Sequence, residues 1–422
     1  MKIDRLTLRN YRNISETTIE AGPHLNFLFG GNGQGKTSIL EAINYFASLR
    51  SFRGSKTPEV ISWQQAHSEV ICVLKDANWE TQLKLVFAFT DADRQKATKV
   101  AFINGKPFKS STQYLTQRFG NVELGFHAVV FNPADHDLIR GEPAIRRAYL
   151  DRVLAAENIE YLKAYSHYQR ILEQRNAVLK NPRSPANQTV LDGFTESLAD
   201  SAARITTLRF NWIQRLQKHL DPTLRQIAPE QPFLGMIYQS HWAPQIEGLC
   251  STNNNLEQVH FAGQTPPPSL DQLKRSFWQK ISEMREAEWR SGHSLVGPHR
   301  DDWSLYLGSQ MLKGHGSQGE VRSALLALKL CEVDLFTKET GHRPLFLLDD
   351  FSSELDRHRR EFLIQFLLKS DLQVFISTTE SFLDPRFSES SPLLKRFWIK
   401  QGQAHLNELE EKDLWNNPIT IP

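Results

Sequence analysis

The 422-residue sequence predicts an α/β protein in which a mostly helical lobe is inserted between two strand-containing parts. Near the N-terminus a glycine-rich loop separates an apolar strand from a helix, and much later a second apolar strand ends in two aspartates. Between these features, from Pro143 onward, apolar residues recur at helical spacing. The three observations place the strand-containing parts at residues 1–145 and 290–422, and the inserted lobe at residues 146–289.

Bulk composition excludes several classes of protein. Lys and Arg total 50 against 48 Asp and Glu, and a net charge of +2 excludes a histone-like polycation and an acidic disordered chain. The three cysteines have no CxxC spacing and the 14 histidines form no HExxH array, so we expect a reducing compartment and no zinc site. Without an apolar leader or a run of about 18 apolar residues, the expected location is the cytoplasm.

The elements follow from local patterns along the chain. Residues 1–30 predict strand, turn and strand, and residues 60–131 alternate in the way typical of a strand-rich region. Long helices are predicted after Pro143. Residues 221–270 carry many prolines and an asparagine run, which predicts a loop or linker. A helix is predicted at about 270–290.

The glycine-rich loop fits the phosphate-binding pattern GxxxxGK[ST], directly after the predicted strand Leu25–Phe29 and before a helix. Glycines allow successive backbone N–H groups to face phosphate oxygens, and the helix N-terminus adds the positive end of its dipole. Lys36 is expected to reach the β- and γ-phosphates, and the Thr37 hydroxyl to ligate Mg²⁺. The predicted nucleotide-binding residues are Gly30, Gly31, Asn32, Gly33, Gln34, Gly35, Lys36 and Thr37.

The second strand, residues 345–348, ends in Asp349 and Asp350 and has the form of a Walker-B element. Because side chains alternate along a strand, the two carboxylates point to opposite sides and can have different roles. We expect Asp349 to hold the Mg²⁺ shell and Asp350 to orient or deprotonate the attacking water. The alternative is that one aspartate only caps the following helix.

A third element lies about 30 residues before Asp349. Taken alone, residues 317–320 predict an ordinary capping box between Ser317 and Glu320 at a helix start. In its place before the Walker-B strand, the segment resembles the signature motif of ABC-type ATPases, and residues 353–356 resemble the D-loop of such enzymes.

Motif order, spacing and flanking residues resemble the RecF family, SMC-like ABC ATPases of bacterial recombinational repair. The stretches that carry the resemblance include residues 8–13, the P-loop 30–37 with 40–43, 51–53 and 103–105. Two further sets are more distinctive than a P-loop: residues 131–133 with Asp135, Gly141 and 146–147, and residues 297–302. No role follows from the residues themselves for His299, Arg300 and Asp301, for which a structural ion pair is as good an interpretation as a functional one.

The resemblance implies an ABC/SMC-type P-loop ATPase head that binds ATP and Mg²⁺. It implies a further ATP contact from Arg12, and an ATP-induced homodimer in which Ser317 and Gly319 of one protomer complete the site of the other. Lys36 and Asp350 would then be the catalytic residues.

Two departures from ABC ATPases in general predict slow hydrolysis that serves as a switch. Thr378 and Thr379 stand where a switch histidine would follow a strand, and no Q-loop glutamine lies near Phe131. Both absences disfavour a transporter ATPase subunit. The prolines of the insert argue against the long coil of an SMC or RecN-like chromosome protein, and a P-loop enzyme for a small substrate would not need residues 317–320.

DNA is the partner that the resemblance implies. Among the basic residues of the first helical segment, Arg146, Arg147 and Arg152 are the predicted DNA contacts, and a solvated helix face interleaved with glutamates is the alternative. The implied role is binding of single-stranded, gapped or junction DNA in recombinational repair and replication restart. It includes help in loading a recombinase and inducing the SOS response, with RecO- and RecR-like partners.

Overall fold

The computed structural model describes residues 2–76, 79–91, 93–108, 110–117, 126–181, 183–247, 266–350, 356–379 and 394–406. The predicted D-loop residues 353–355, part of the segment 221–270 and the last residues of the chain lie outside these ranges. The strands are β1 (Lys2–Tyr11), β2 (Ile14–Glu20), β3 (Leu25–Phe29), β4 (His67–Asp76), β5 (Trp79–Phe89), β6 (Ala97–Ile103), β7 (Lys106–Phe108), β8 (Ala128–Phe131), β9 (Leu234–Gln239), β10 (Asp302–Leu307), β11 (Gln310–Met311), β12 (Leu345–Leu348), β13 (Val374–Thr378), β14 (Leu394–Lys400) and β15 (Gln403–Leu406). The helices are α1 (Lys36–Ser48), α2 (Ser111–Thr116), α3 (Asp137–Arg140), α4 (Pro143–Glu157), α5 (Ile159–Leu179), α6 (Pro185–Ile227), α7 (Pro244–Glu247), α8 (Leu270–Ser291), α9 (Leu312–His315), α10 (Gln318–Thr340) and α11 (Arg357–Lys369).

The chain forms two compact units, residues 1–133 with 342–422, and residues 134–341. These boundaries differ from the predicted 145 and 290, because α10 packs against α6 and therefore belongs to the same unit as the inserted helices. The assignment of residues 290–341 to an ATPase head stays a prediction.

The first unit contains an antiparallel sheet with the strand order β2-β1-β4-β5-β6-β7. Its strands show the period-2 burial of a sheet with one packed face, as in β1, where Leu6 and Leu8 are buried and Arg5 and Arg9 face outward. The strand-rich character predicted for residues 60–131 is thereby confirmed in β4 to β8.

The other sheet of this unit has the order β15-β14-β3-β13-β12-β8, with β14, β3, β13, β12 and β8 parallel. Every residue of β3 and β12 is buried, which explains why all of them are apolar except Asn26. Strand β13 lies between β3 and β12, so the carboxyl ends of these three strands meet at one edge, where open α/β sheets place their ligands.

Helix α1 packs into the core of the first unit. Its side chains Ile39, Leu40 and Ile43 are buried in one hydrophobic cluster with residues of both sheets, including Leu8 and Leu347. This packing fixes the start of α1, and therefore the glycine-rich loop before it, relative to the parallel sheet.

The second unit is mostly helical, as predicted for the insert. Helix α6 has 43 residues and packs against α5, α8 and α10, and a small antiparallel sheet has the order β11-β10-β9. None of the helices in the described part of the chain is long and apolar enough to cross a membrane.

The prediction of a loop or linker at 221–270 is wrong for residues 221–227, 234–239 and 244–247, whereas residues 228–233, 240–243 and 266–269 form no helix or strand. Helix α6 continues through Pro222 to Ile227, and β9 and α7 follow. Side chains on the last turns of α6 hold β9 in place, because Leu234 N–H donates to Asp221 Oδ1 at 3.0 Å and Met236 N–H donates to Gln217 Oε1 at 2.7 Å. These tertiary contacts outweigh the local preferences of the prolines.

Candidate nucleotide-binding site

The glycine-rich loop connects the end of β3 to the start of α1, as predicted. Gly30, Gly33 and Gly35 have φ values of 152°, 74° and 113°, which residues other than glycine rarely adopt. The N-cap of α1 is Gly35, which has no side chain that could accept hydrogen bonds from the backbone N–H groups of the first turn. A loop of this form leaves donors for an anion at a helix N-terminus.

Lys36 lies over this loop. Its Nζ donates to the carbonyl oxygens of Gly30 at 2.7 Å and Gly31 at 2.8 Å. Burial lowers the pKa of Lys36, while the negative charges of Asp350 and Asp349 oppose that shift. The ammonium group is therefore held beside the loop and near both carboxylates, where it can exchange carbonyl oxygens for phosphate oxygens.

Asp349 follows β12 and is 6% exposed. Its Oδ1 accepts hydrogen bonds from Thr37 Oγ1 at 2.9 Å and from Ser377 Oγ at 2.6 Å. Burial raises the pKa of Asp349, and the hydrogen bonds from Ser377 and Thr37 counteract this effect. The two residues predicted to hold Mg²⁺, Thr37 and Asp349, are thus in direct contact although 312 positions separate them in the sequence.

The donor set fits a magnesium ion that takes few protein ligands. A hydroxyl oxygen and a carboxylate oxygen suit this cation, which keeps several waters and takes further oxygens from phosphate groups. Among the described residues there is no group of three or more His, Cys, Asp or Glu that forms a complete metal cage.

Asp350 has a left-handed backbone conformation, with φ of 54°. Asp tolerates this region better than most residues, and such strain is concentrated at functional sites. Its N–H donates to Ser377 Oγ at 2.9 Å, so Ser377 joins Asp350 to Asp349. The catalytic role of Asp350 stays a prediction.

Several residues that support the loop could not be identified from the sequence motifs. Asn13 Nδ2 donates to the Gly33 carbonyl at 2.8 Å, and its Oδ1 accepts from Ser38 Oγ at 3.2 Å. Gln401 N–H donates to the Gln34 side chain at 2.6 Å, and the next N–H, of residue 402, donates to the Gln34 carbonyl at 3.0 Å. Asn13 belongs to a stretch that carries the family resemblance, whereas residues 401 and 402 lie in a hairpin that no motif marked.

Arg12, predicted as an ATP contact, is engaged by the protein itself. Its Nε and Nη2 donate to the two oxygens of the buried Glu41 carboxylate at 2.9 and 2.7 Å. The same guanidinium donates to Ser55 Oγ and to the Glu59 carbonyl. This network joins α1 to the loop that follows it, and an ATP contact by Arg12 stays a prediction.

The predicted signature residues lie in the second unit at the start of α10. Ser317 Oγ accepts from Glu320 N–H at 3.3 Å, and Glu320 Oε2 accepts from Ser317 N–H at 2.7 Å, so the capping box is formed. Ser317 is exposed and Gly319 is partly exposed. The helix start is therefore accessible, and its role as a signature motif stays a prediction.

The structure corrects one predicted DNA contact. Arg146 is 3% exposed, and its guanidinium donates to both oxygens of Asp302 at 2.7 Å and to the Gly141 carbonyl at 2.8 Å, so it is committed to the interior. Arg152 forms an ion pair with Glu332 at 3.3 Å and is 25% exposed. Arg147 is partly exposed and donates to a backbone carbonyl. DNA contacts by Arg147 and Arg152 stay predictions.

Comparison with known proteins agrees with this architecture. The family described as RecF/RecN/SMC N terminal domain matches residues 2–391. The DNA replication and repair protein RecF of Halalkalibacterium halodurans is 32% identical over 381 residues, which cover 90% of this chain and 93% of that protein. RecF of Geotalea daltonii is 31% identical over 379 residues, with the same coverage of 90% and 93%.

Solved structures give the same result. The recombination mediator protein RecF with ATP, of the RecFOR pathway, is 26% identical with a TM-score of 0.78, covering 96% of this chain and 99% of that chain. An Smc head domain from Pyrococcus furiosus, 13% identical with a TM-score of 0.51, shares the fold. The predicted ABC/SMC-type ATPase head fold is confirmed, and the chain belongs to the RecF family.

Proposed function

We propose that this protein is an ATP-controlled DNA-binding protein of recombinational repair and replication restart, located in the cytoplasm. One observation carries the proposal: Thr37 of the phosphate loop and Asp349 of the Walker-B strand share a hydrogen bond of 2.9 Å beside Lys36. Relatives that are DNA replication and repair proteins, and a RecF structure that contains ATP, support the choice of ATP and DNA.

In the proposed complex, the loop residues 30–35 and the N-terminus of α1 donate backbone N–H groups to the phosphates. Lys36 moves its ammonium group from the Gly30 and Gly31 carbonyls to phosphate oxygens. Thr37 and Asp349 hold Mg²⁺, which, when bound, neutralises phosphate charge. Each role uses a group whose position beside the loop is given by a hydrogen bond or by burial.

Slow hydrolysis is the proposed use of Asp350. Its carboxylate would orient the attacking water, and β13 ends at Thr378 with Thr379 after it, so no histidine assists at this place. A weak ATPase with a long-lived ATP state suits a switch that holds a complex together until hydrolysis releases it.

The proposed ATP state is a homodimer. The exposed capping box at Ser317 presents a hydroxyl and a helix N-terminus, which together suit the γ-phosphate of a nucleotide bound by a second copy. Arg147 and Arg152 are the proposed DNA contacts, on single-stranded, gapped or junction DNA. RecO- and RecR-like proteins are the proposed partners in recombinase loading and SOS induction.

Binding of labelled single-stranded, duplex and junction DNA, with and without Mg·ATP, tests the proposal. Lys36→Met should lose ATP binding and the ATP-dependent part of DNA binding, whereas Lys96→Met, which removes an exposed lysine of the same unit, should retain both. Phosphate contacts should also make affinity fall steeply with salt. DNA binding by the wild type that ignores ATP, or is absent, contradicts the proposal.

Light scattering tests the dimer. Mg·ATP should double the mass of the wild type, and Ser317→Arg should remain a monomer while it still binds ATP, because the larger cation obstructs the helix start that faces the second copy. Ser282→Arg places the same side chain at an exposed position of α8 and should dimerise normally. If Ser317→Arg dimerises at the same ATP concentrations as the wild type, the segment at Ser317 does not lie in the dimer interface.

A further inference from the structure

The second unit contains a partly open cavity of about 150 Å³. Side chains of α4, α5 and α6 line it together with Pro298 and His299, which follow α8. Two stretches that carry the family resemblance, 146–147 and 297–302, therefore meet at its wall or directly behind it. The proposed ATP site uses none of these residues.

Part of the polar lining is saturated by internal hydrogen bonds. Asp151 Oδ1 accepts from Tyr161 Oη at 2.5 Å and from Arg209 Nη2 at 2.6 Å. Tyr168 Oη and His299 Nδ1 form a hydrogen bond of 2.6 Å, and His299 Nε2 bonds the Ser294 carbonyl. These bonds fix the wall of the cavity.

Three groups at the cavity retain hydrogen-bonding capacity. Within the described residues, Asp151 Oδ2 and the Gln169 amide have no hydrogen-bond partner. Arg147 donates through Nη1 to the Asp301 carbonyl at 3.0 Å and forms no ion pair in the described part of the chain. The cavity thus offers a charged donor, an acceptor oxygen on a residue that is 9% exposed, and an amide that can act as either donor or acceptor.

The cavity has charges of both signs. Arg147 and Arg209 line it together with Asp151, and Arg300 and Asp301 act on its wall from behind. Burial raises the pKa of Asp301 to about 6 and lowers that of His299 to about 4, so at pH 7.5 the aspartate is charged and the histidine is neutral. A phosphate would face the open oxygen of Asp151, and a cation would face Arg147, so a neutral ligand with both donors and acceptors fits best.

Size and shape restrict the ligand further. An apolar cavity of this volume accepts one benzene-sized ring. Ala144, Ala148 and Ile205 supply apolar parts of the wall, and Tyr165 adds an aromatic ring. Arginine and glutamine donate to acceptors on base edges, and aspartate accepts from the amino group of cytosine.

We infer that this cavity binds a single pyrimidine base, presented by single-stranded DNA. Arg147 would donate to the ring acceptors, Asp151 Oδ2 would accept from an exocyclic amino group, and Gln169 would bond the remaining edge. The inference rests on the proposed DNA-binding function and gives Arg147 a base contact in addition to any contact with phosphate.

Fluorine NMR at pH 7.5 with saturating Mg·ATP tests the inference with two probes. One is 5-fluoro-2′-deoxycytidine as the free nucleoside. The other is a twelve-residue strand in which this nucleotide carries the only base and all other positions are abasic. Fluorescence anisotropy of the labelled strand measures its overall binding separately from entry of the base.

Ala148→Trp fills the cavity, and Ala177→Trp adds the same side chain at an exposed position of α5 outside it. Gln169→Leu removes the amide at similar volume and provides a second variant if Ala148→Trp does not fold. The wild type and Ala177→Trp should give a new, saturable fluorine resonance with the strand. Ala148→Trp should give none, and Gln169→Leu should weaken its formation about tenfold, because one hydrogen bond is lost.

A fully bound strand without a new resonance, or an unchanged resonance in Ala148→Trp, overturns the inference while leaving the proposed function intact. A resonance with the free nucleoside but not with the bound strand overturns the inference, because the cavity then takes a base that DNA does not present. If the wild type binds neither this strand nor the single-stranded, duplex and junction DNA that test the proposed function, the proposed function fails, and the inference that rests on it fails as well.

Discussion

Ser377 is the residue that should control how Asp349 responds to pH. Its hydroxyl donates to Asp349 Oδ1 at 2.6 Å and accepts from Asp350 N–H at 2.9 Å, so Ser377→Ala removes one of the two hydroxyl donors to this carboxylate. Thr37 remains as the other donor. The effect of burial, which raises the pKa of Asp349, would then be opposed by one of these hydroxyl hydrogen bonds instead of two.

The size of the effect follows from the hydrogen bond that is lost. A hydrogen bond to a charged group contributes about 1.5–3 kcal/mol, and one pKa unit corresponds to about 1.4 kcal/mol. The pKa of Asp349, already raised by burial, should therefore rise further in Ser377→Ala. Because a cation binds the ionised form, the affinity for Mg·ATP falls as the pH falls through this pKa, and the midpoint should move upward by the same amount.

Calorimetric titration with Mg·ATP over a series of pH values measures this midpoint. ATP with a chelator should show no matching shift between wild type and variant, because the shift acts through the cation. Ser110→Ala makes the same chemical change at an exposed position and should keep the wild-type midpoint. Equal midpoints for Ser377→Ala and the wild type would refute the claim that this hydroxyl keeps Asp349 ionised.

Two further predictions concern stability, measured by thermal unfolding. Gly402→Ala would place Cβ 2.7 Å from the Asn13 carbonyl oxygen at φ of 77°, and should cost about 2 kcal/mol or more and weaken ATP binding. Gly341→Ala, at φ of 71° in open space, should cost only about 1 kcal/mol, and equal losses would contradict the clash. Arg175→Met leaves the fully buried Glu288 unpaired and should cost about 3–5 kcal/mol. Adding Glu288→Gln should restore most of that loss, and no recovery would show that the charge is not its cause.

The sequence predicts the centre of the nucleotide site because its motifs are local. A glycine loop between a strand and a helix, and an apolar strand that ends in two aspartates, contain their own structural context within a few residues. Ser377 and the hairpin residues 401–402 could not be found in this way. Ser377 matters only because β13 lies between β3 and β12, and strand order in a sheet is a tertiary property.

The misinterpretation of residues 221–247 has a related cause. Proline and asparagine lower the local preference for regular structure, but Asp221 and Gln217 bond the backbone of β9, and β9 pairs with β10 from a distant part of the chain. The free energy of these long-range contacts exceeds the local penalty. Composition reports that penalty and carries no information on the contacts.

Arg146 shows why a distinctive basic motif need not be a DNA contact. An arginine that binds phosphate must keep its donors free, whereas Arg146 gives three hydrogen bonds to Asp302 and Gly141 and is nearly inaccessible. A loss of DNA binding in Arg146→Ala would therefore follow from a partly buried Asp302 that has lost its ion pair. The neighbouring Arg147 is partly exposed at the cavity. If replacing Arg147 weakens DNA binding by an amount that depends on the base, and not only on the salt concentration, Arg147 contacts the base.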